Sequence, residues 1–271
     1  MKKLNRLFVL FIGIVILLVS INGNFVKAEE NNSAGNSSED SYEELINEGI
    51  LDPAISKKQW DDFKAEDEYY AEQQEKEEID NPGDISVSEN GKMLRSAKAK
   101  FTLRKGDFFY TNATDSKGLT GHNAIYVGNG KIVEAPAKGH KTKSQSFVTW
   151  KKNTLYGPKG PKKGKWIKVY RPSSKANANK AANYAMKNFG QKHIPYKITG
   201  NIKSKKYEYC SKLVWQSYYF GAGKNAMASV NTPVILHPSN FPGTIKSTKK
   251  VHTYKKWFCF RIISLDLIIN L

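Results

Sequence analysis

The stretch "TGHNAIYVGNGKIVEA", residues 120–135, reads as a β-hairpin: two apolar runs flank Gly128-Asn129-Gly130. A histidine, His122, opens the first strand, and an acid, Glu134, falls near the end of the second. Acids are scarce here, since residues 92–271 hold 5 acids and 35 bases. Glu134 therefore calls for a partner. Directly opposed residues of an antiparallel pair share a face, as do alternate residues along one strand. His122 and Glu134 are twelve apart. They share a face only if the connecting loop has an odd number of residues or a bulge supplies the extra one. A plain two-residue Asn129-Gly130 loop would separate them. The two glycines permit the positive φ that three-residue loops need. The expectation is a three-residue loop or a bulge, with both side chains on one face.

The chemistry that could use such a pair lies further along. "CSKLVWQSYYFGAG" is predicted to be a helix whose first residue is Cys210, with Leu213, Val214, Ser217 and Tyr218 on its buried face and Gly221 as its stop. The positive end of a helix dipole favours a thiolate, which is the nucleophilic form of cysteine. Such a nucleophile needs a base, usually His, and a third group to orient the imidazole. His122 and Glu134 fit those two roles. A buried, inert Cys210, a structural His122 and a surface Glu134 are the plainer alternatives.

Around these motifs the chain is organised as follows. Residues 1–28 read as a secretory signal peptide: a basic start, an apolar run of fifteen residues at 7–21, and "VKA" as a cleavage site. The run is short for a membrane span of roughly 20 residues; an uncleaved signal anchor is the alternative. Residues 29–96 are acidic, with 20 acids and 4 bases over 29–91. Of these, 29–40 are predicted to be a disordered tether. "SYEELINEGIL" carries a capping box on Ser41 and Glu44 and ends at Asp52-Pro53. A second helix follows from Ser56, with Trp60, Phe63, Tyr69 and Tyr70 as a thin stripe that leans on something else. "DNPGD" at 80–84 ends it.

Residues 97–256 form the main domain. "AKAKFTLRKGDFFYT" reads as strand, turn and strand. "WIKVYRP" is a strand, "SSKANANKAANYAMKNFG" a helix with Gly190 just past its end, and "KKVHTYKKWFCF" a last strand. "YGPKGPKKGKW" reads as a solvated loop. Residues 257–271 are an apolar tail: a membrane contact, a last buried strand, or an end altered from the pattern of related chains.

The net charge of +18 combines −16 over 29–91 with +30 over 92–271 and +4 in the first 28 residues. A basic domain attracts polyanions. Outside a cell these are wall polymers, anionic lipid headgroups and acidic glycans, so no nucleic acid partner is expected. Two cysteines, Cys210 and Cys259, do not make a disulfide framework. His140, His193, His237 and His252 lack metal-ligand spacing, so no metal or other cofactor is expected.

"GHNAIYVGNGKIVEA" is similar to the His-containing hairpin of the NlpC superfamily of papain-like cysteine hydrolases. "IPYKITGNIKSKKYEYCSKLVWQSYYFGAG" resembles that superfamily's nucleophile segment. In most members the Cys segment comes first; here the hairpin does. That order resembles the circularly permuted, YiiX/YaeF-type amidases, and Lys105-Gly106-Asp107 and "TPVILHPSNF" fit the same branch. The resemblance covers roughly residues 98–256. It implies an α+β, permuted papain-like fold, a small antiparallel barrel-like sheet packed against helices. It implies Cys210 as nucleophile, His122 as base and Glu134 as orienting residue, with Tyr196 and the Cys210 N–H at the oxyanion site. The expected function is a secreted, monomeric cysteine hydrolase cleaving an amide or ester, with wall peptide or an acyl-amide as substrate. A non-catalytic module for wall polymer or anionic lipid, and an acyltransferase or lipid hydrolase on the same fold, remain open. The acidic segment could be a pro-region over the cleft, whose removal would raise activity.

Overall fold

A computed structural model describes residues 41–80, 101–158, 160–228 and 233–255. The expected signal peptide (1–28) and tether (29–40), most of the 80–84 turn, residues 257–271 and with them Cys259 lie outside the described residues.

Ser41 caps α1 (Tyr42–Asn47), its side chain accepting from the Glu44 N–H at 3.0 Å. The helix stops well before Asp52-Pro53, because Gly49 turns the chain at φ 70°. Leu51 then makes a parallel bridge to Ile198. Ser56 starts α2 (Lys57–Asp80) through a reciprocal box: the Ser56 N–H donates to Gln59 Oε1 at 2.9 Å, and the Gln59 N–H donates to Ser56 Oγ at 3.3 Å. Trp60, Phe63 and Asp67 face inward, one helical turn apart, whereas Tyr69 is 59% exposed and leaves the expected stripe.

Six strands make one antiparallel sheet: β1 (Phe108–Thr111), β2 (His122–Gly128), β3 (Lys131–Glu134), β4 (Lys143–Ser146), β7 (Trp166–Pro172) and β8 (Thr248–Lys255). Their order is β4-β3-β2-β1-β7-β8. By hydrogen bonds the sheet is open. It curls enough for Phe147, which follows edge strand β4, to meet Tyr254 of the opposite edge at 5.6 Å between ring centres. Residues 101–104 are not a strand; the Arg104 N–H instead donates to Asp107 Oδ2 at 2.8 Å, which closes a turn. The lysine-rich "YGPKGPKKGKW" holds a small hairpin, β5 (Tyr156–Gly157) with β6 (Gly160–Pro161).

Alternation along the strands divides the core. Phe108, Tyr110, Ile125, Val133 and Tyr170 join one cluster with the helices α4 (Lys175–Ala185) and α5 (Cys210–Ala222). Phe109, Ala124, Ile132, Ile167 and Val169 join a second with α3 (Phe147–Leu155). α4 continues as a π-turn, Met186–Gly190, so Gly190 lies inside the helical run. α5 is buried all round from Cys210 to Tyr218. It runs through Gly221 and stops at Gly223 (φ 92°). Gly221 serves packing: a Cβ there would stand 2.7 Å from Tyr184 Cβ and 2.9 Å from the Lys180 carbonyl oxygen of α4. Leu45, Ile50, Leu51, Ile55, Trp60 and Phe63 belong to the first cluster, so 41–80 and the main domain share one core. Each such side chain contributes about 1.5–3 kcal/mol by burial.

Candidate active site

The β2–β3 connection settles the parity. Glu134 pairs with Ala124, Val133 with Ile125 and Ile132 with Tyr126, and then the register shifts so that Lys131 pairs with Gly128. The turn itself has two residues, Asn129 (φ 50°) and Gly130 (φ 67°), the signature of a type I′ hairpin. A bulge between Tyr126 and Gly128 supplies the odd residue. His122, two before Ala124, thus shares a face with Glu134 as its diagonal neighbour.

The pair is tightly engaged. His122 Nε2 lies 2.8 Å from Glu134 Oε2, and both side chains are more than nine-tenths buried. Burial pushes the Glu134 carboxyl up, but His122, Lys143 and Gln145 outweigh it and hold it below the ordinary carboxylate value. An ionised carboxylate only accepts, so Nε2 is the donor. Trp150 Nε1 donates to the same oxygen at 3.0 Å, Gln145 Nε2 donates to Oε1, and Lys143 Nζ stands 3.7 Å from Oε1.

This network is what sequence reasoning missed. Lys143 and Gln145 occupy alternate positions of β4, and Lys143 pairs directly with Glu134. A period of two in "KSQS" carried that signal. Trp150 comes from α3, and no local pattern marked it.

The other imidazole nitrogen, Nδ1, is buried and has no partner that meets hydrogen-bond geometry. Burial pushes the His122 pKa down; coupling to Cys210 and then to Glu134 overrides this and lifts it to about 10. With Nε2 taken by Glu134, Nδ1 is the nitrogen left to serve the thiol. Cys210 is the first residue of α5, is fully buried, and is a free thiol. Tyr196 is buried too, and its hydroxyl has no partner of good geometry. Burial and the neighbouring Cys210 raise its pKa well above the ordinary tyrosine value. His122 and Glu134 are in hydrogen-bond contact, and Cys210 lies within electrostatic reach of both His122 and Tyr196.

A cleft of about 210 Å³ reaches His122 and Glu134. Its walls include Thr114, Asp115, His140, Lys143, Asn153 and Lys162. Cys210 does not line it, and neither does any residue of 41–80. Among the described residues, no three His, Cys, Asp or Glu side chains are grouped to hold a metal ion.

Residues 78–247 match the family model described as "Lipoprotein N-acylation protein LnsA-like". The chain belongs to this LnsA-like family. A curated relative, an uncharacterized 30.3 kDa protein of Bacillus thuringiensis, is 38% identical over 146 residues. That is 51% of this chain and 52% of the relative, so the chain spans about half of that protein's length. Among solved structures, the metalloprotein yiiX of Escherichia coli O157:H7 aligns with a TM-score of 0.38 and 18% identity, over 58% of this chain and 100% of that one. A likeness at that level carries no argument about the site. The LnsA-like segment contains His122, Glu134, Tyr196 and Cys210, while α1 and nearly all of α2 precede it.

Proposed function

We propose that this protein is a thiol acyltransferase that forms a thioester on Cys210 and passes the acyl group to an amine. Hydrolysis of the same ester or amide is the outcome when water replaces the amine. The observation that carries this reading is the arrangement of His122, with Nε2 engaged by Glu134 and Nδ1 buried and unpaired; the pull of Cys210 on the imidazole supports it. The description of the family supports an amine acceptor, the amino group of a lipoprotein. The order of hairpin before nucleophile supports a permuted papain-like, NlpC-related fold. The signal-like start supports action outside the cytoplasm. The 19 bases and no acids between Glu134 and Glu208 support an anionic wall polymer or lipid as neighbour.

The cycle balances without a cofactor. His122, its pKa lifted to about 10, already carries at Nδ1 the proton given up by the Cys210 thiol. The sulfur attacks the acyl carbonyl of an ester donor, and the oxyanion takes hydrogen bonds from the Cys210 N–H and the Tyr196 hydroxyl. The C–O bond breaks as His122 returns the proton to the departing alcohol. The amine then attacks the thioester, His122 receives its proton, the C–S bond breaks and the amide leaves. Ester plus amine give amide plus alcohol. Cys210 is fully buried and outside the cleft lining, so acylation requires a local opening beside His122.

The test is incubation of the purified chain with an activated acyl ester, followed by intact-mass and peptide mass spectrometry. Acyl-Cys210 is expected, discharged faster by an added aminoacyl peptide than by water. Cys210→Ala should abolish both adduct and turnover. Turnover that survives in Cys210→Ala would sink the assignment.

A further inference from the structure

We propose that Asp67, on the acidic helix α2, is a positioning residue of the site, setting His122 against Cys210. The inference rests on the thiol-acyltransferase reading. Asp67 is 0% exposed and lies outside the segment matched by the family. Oδ2 accepts from the Thr120 N–H at 2.9 Å and from Thr120 Oγ1 at 2.5 Å. Oδ1 accepts from Ser239 Oγ at 3.4 Å and lies 3.6 Å from His237 Nδ1.

Those partners belong to the two segments that frame the site. Thr120 is two residues before His122. Gly121 lies between them at φ 103°, and a Cβ there would stand 2.5 Å from the Tyr110 ring and 2.7 Å from the Thr111 carbonyl oxygen. The chain therefore has one path into β2, and Asp67 holds the residue where that path begins. Ser239 belongs to the 236–239 loop, which is bonded to the neighbours of both reactive residues. Ser211, next to Cys210, donates to the Leu236 carbonyl at 2.7 Å. Tyr209, on the other side of Cys210, accepts from the Leu236 N–H at 3.0 Å. Asn123, next to His122, donates to the Pro238 carbonyl at 3.2 Å.

One carboxylate thus braces the histidine strand and the loop that grips the start of α5. The brace is itself held. His237 stacks on Phe63 at 4.6 Å between ring centres and pairs with Glu66 at 3.2 Å. A nucleophile and base displaced by about 1 Å lose on the order of 10²-fold in rate. The acidic helix is therefore part of the catalytic unit, and removing it should lower activity rather than unmask a cleft.

The experiment uses the full chain and compares Asp67→Ala, Asp67→Asn and Thr120→Val. Two readouts are taken: kcat and KM with the activated ester and amine, and the low-field proton signal of the His122 N–H that donates to Glu134. Asp67→Ala and Thr120→Val should lower kcat by about 10-fold or more, leave KM within about two-fold, and shift or broaden the signal. Asp67→Asn keeps an acceptor oxygen for Thr120 and should recover part of both. Asp61→Ala, on the exposed side of α2, is the control. If Asp67→Ala fails to fold, Thr120→Val carries the test. A folded Asp67→Ala or Thr120→Val with parental kcat, or with an unmoved signal, overturns the proposal. Turnover retained in Cys210→Ala would instead defeat the thiol reading, and the proton signal would still report on Asp67.

Discussion

The hairpin and the thiol helix meet at one site but are built in opposite ways. On the hairpin side the carboxylate is engaged: Glu134 receives His122, Trp150 and Gln145, with Lys143 beside it. Toward the thiol, several buried polar atoms are left open. Tyr196 Oη, His122 Nδ1 and both carboxylate oxygens of Glu208 are buried without hydrogen-bond partners. Buried polar groups are normally paired because an unpaired one costs about 1–3 kcal/mol. On the proposed reading, the engaged carboxylate fixes geometry, while Tyr196 Oη and His122 Nδ1 are the groups kept for the substrate.

Glu134→Gln gives the sharpest test of this contrast. It puts an amide among the three donors and removes the charge that helps keep His122 protonated and oriented. A loss of 10²- to 10⁴-fold in kcat is expected, as when other triads lose their orienting carboxylate. A loss below two-fold would make Glu134 structural only. Next comes Tyr196→Phe. If the hydroxyl waits for an oxyanion, its removal costs on the order of 10²-fold in kcat. Unchanged kcat would reduce Tyr196 to packing.

The smallest effect concerns Glu208, two residues before Cys210. Burial raises its pKa to about 8, against the opposing pull of Lys212 and Lys205. The folded chain therefore keeps a proton that the unfolded chain releases between pH 4.5 and 8. A raised carboxyl pKa makes the folded state lose stability as pH climbs through that window. Glu208→Gln removes the penalty, by up to about 1.4 kcal/mol per pH unit. Its melting temperature should gain on the parent between pH 5 and pH 8. Parallel melting curves would show that Glu208 is not held neutral.

Much of this was legible in the sequence because it depends on local rules. The caps at Ser41 and Ser56 lie within four residues of their partners, and the period of two placed β1, β2, β3, β7 and β8. Misplaced ends have tertiary causes. Gly221 looked like a stop but faces α4, and residues 101–104 looked like a strand but bend onto Asp107.

Within the site the division is the same. The residue pattern selected His122, Glu134 and Cys210, the family resemblance added Tyr196, and parity along the hairpin required a bulge or an odd loop to bring two of them together. Only the tertiary structure decided that the bulge does it, around a two-residue turn. Only the tertiary structure brought Trp150, Gln145 and Lys143 to Glu134, and Asp67 to Thr120 across 53 residues of chain. Periodicity reports which way a side chain faces along its own element. It carries no information on what another element sets against that face, because that depends on how the elements pack.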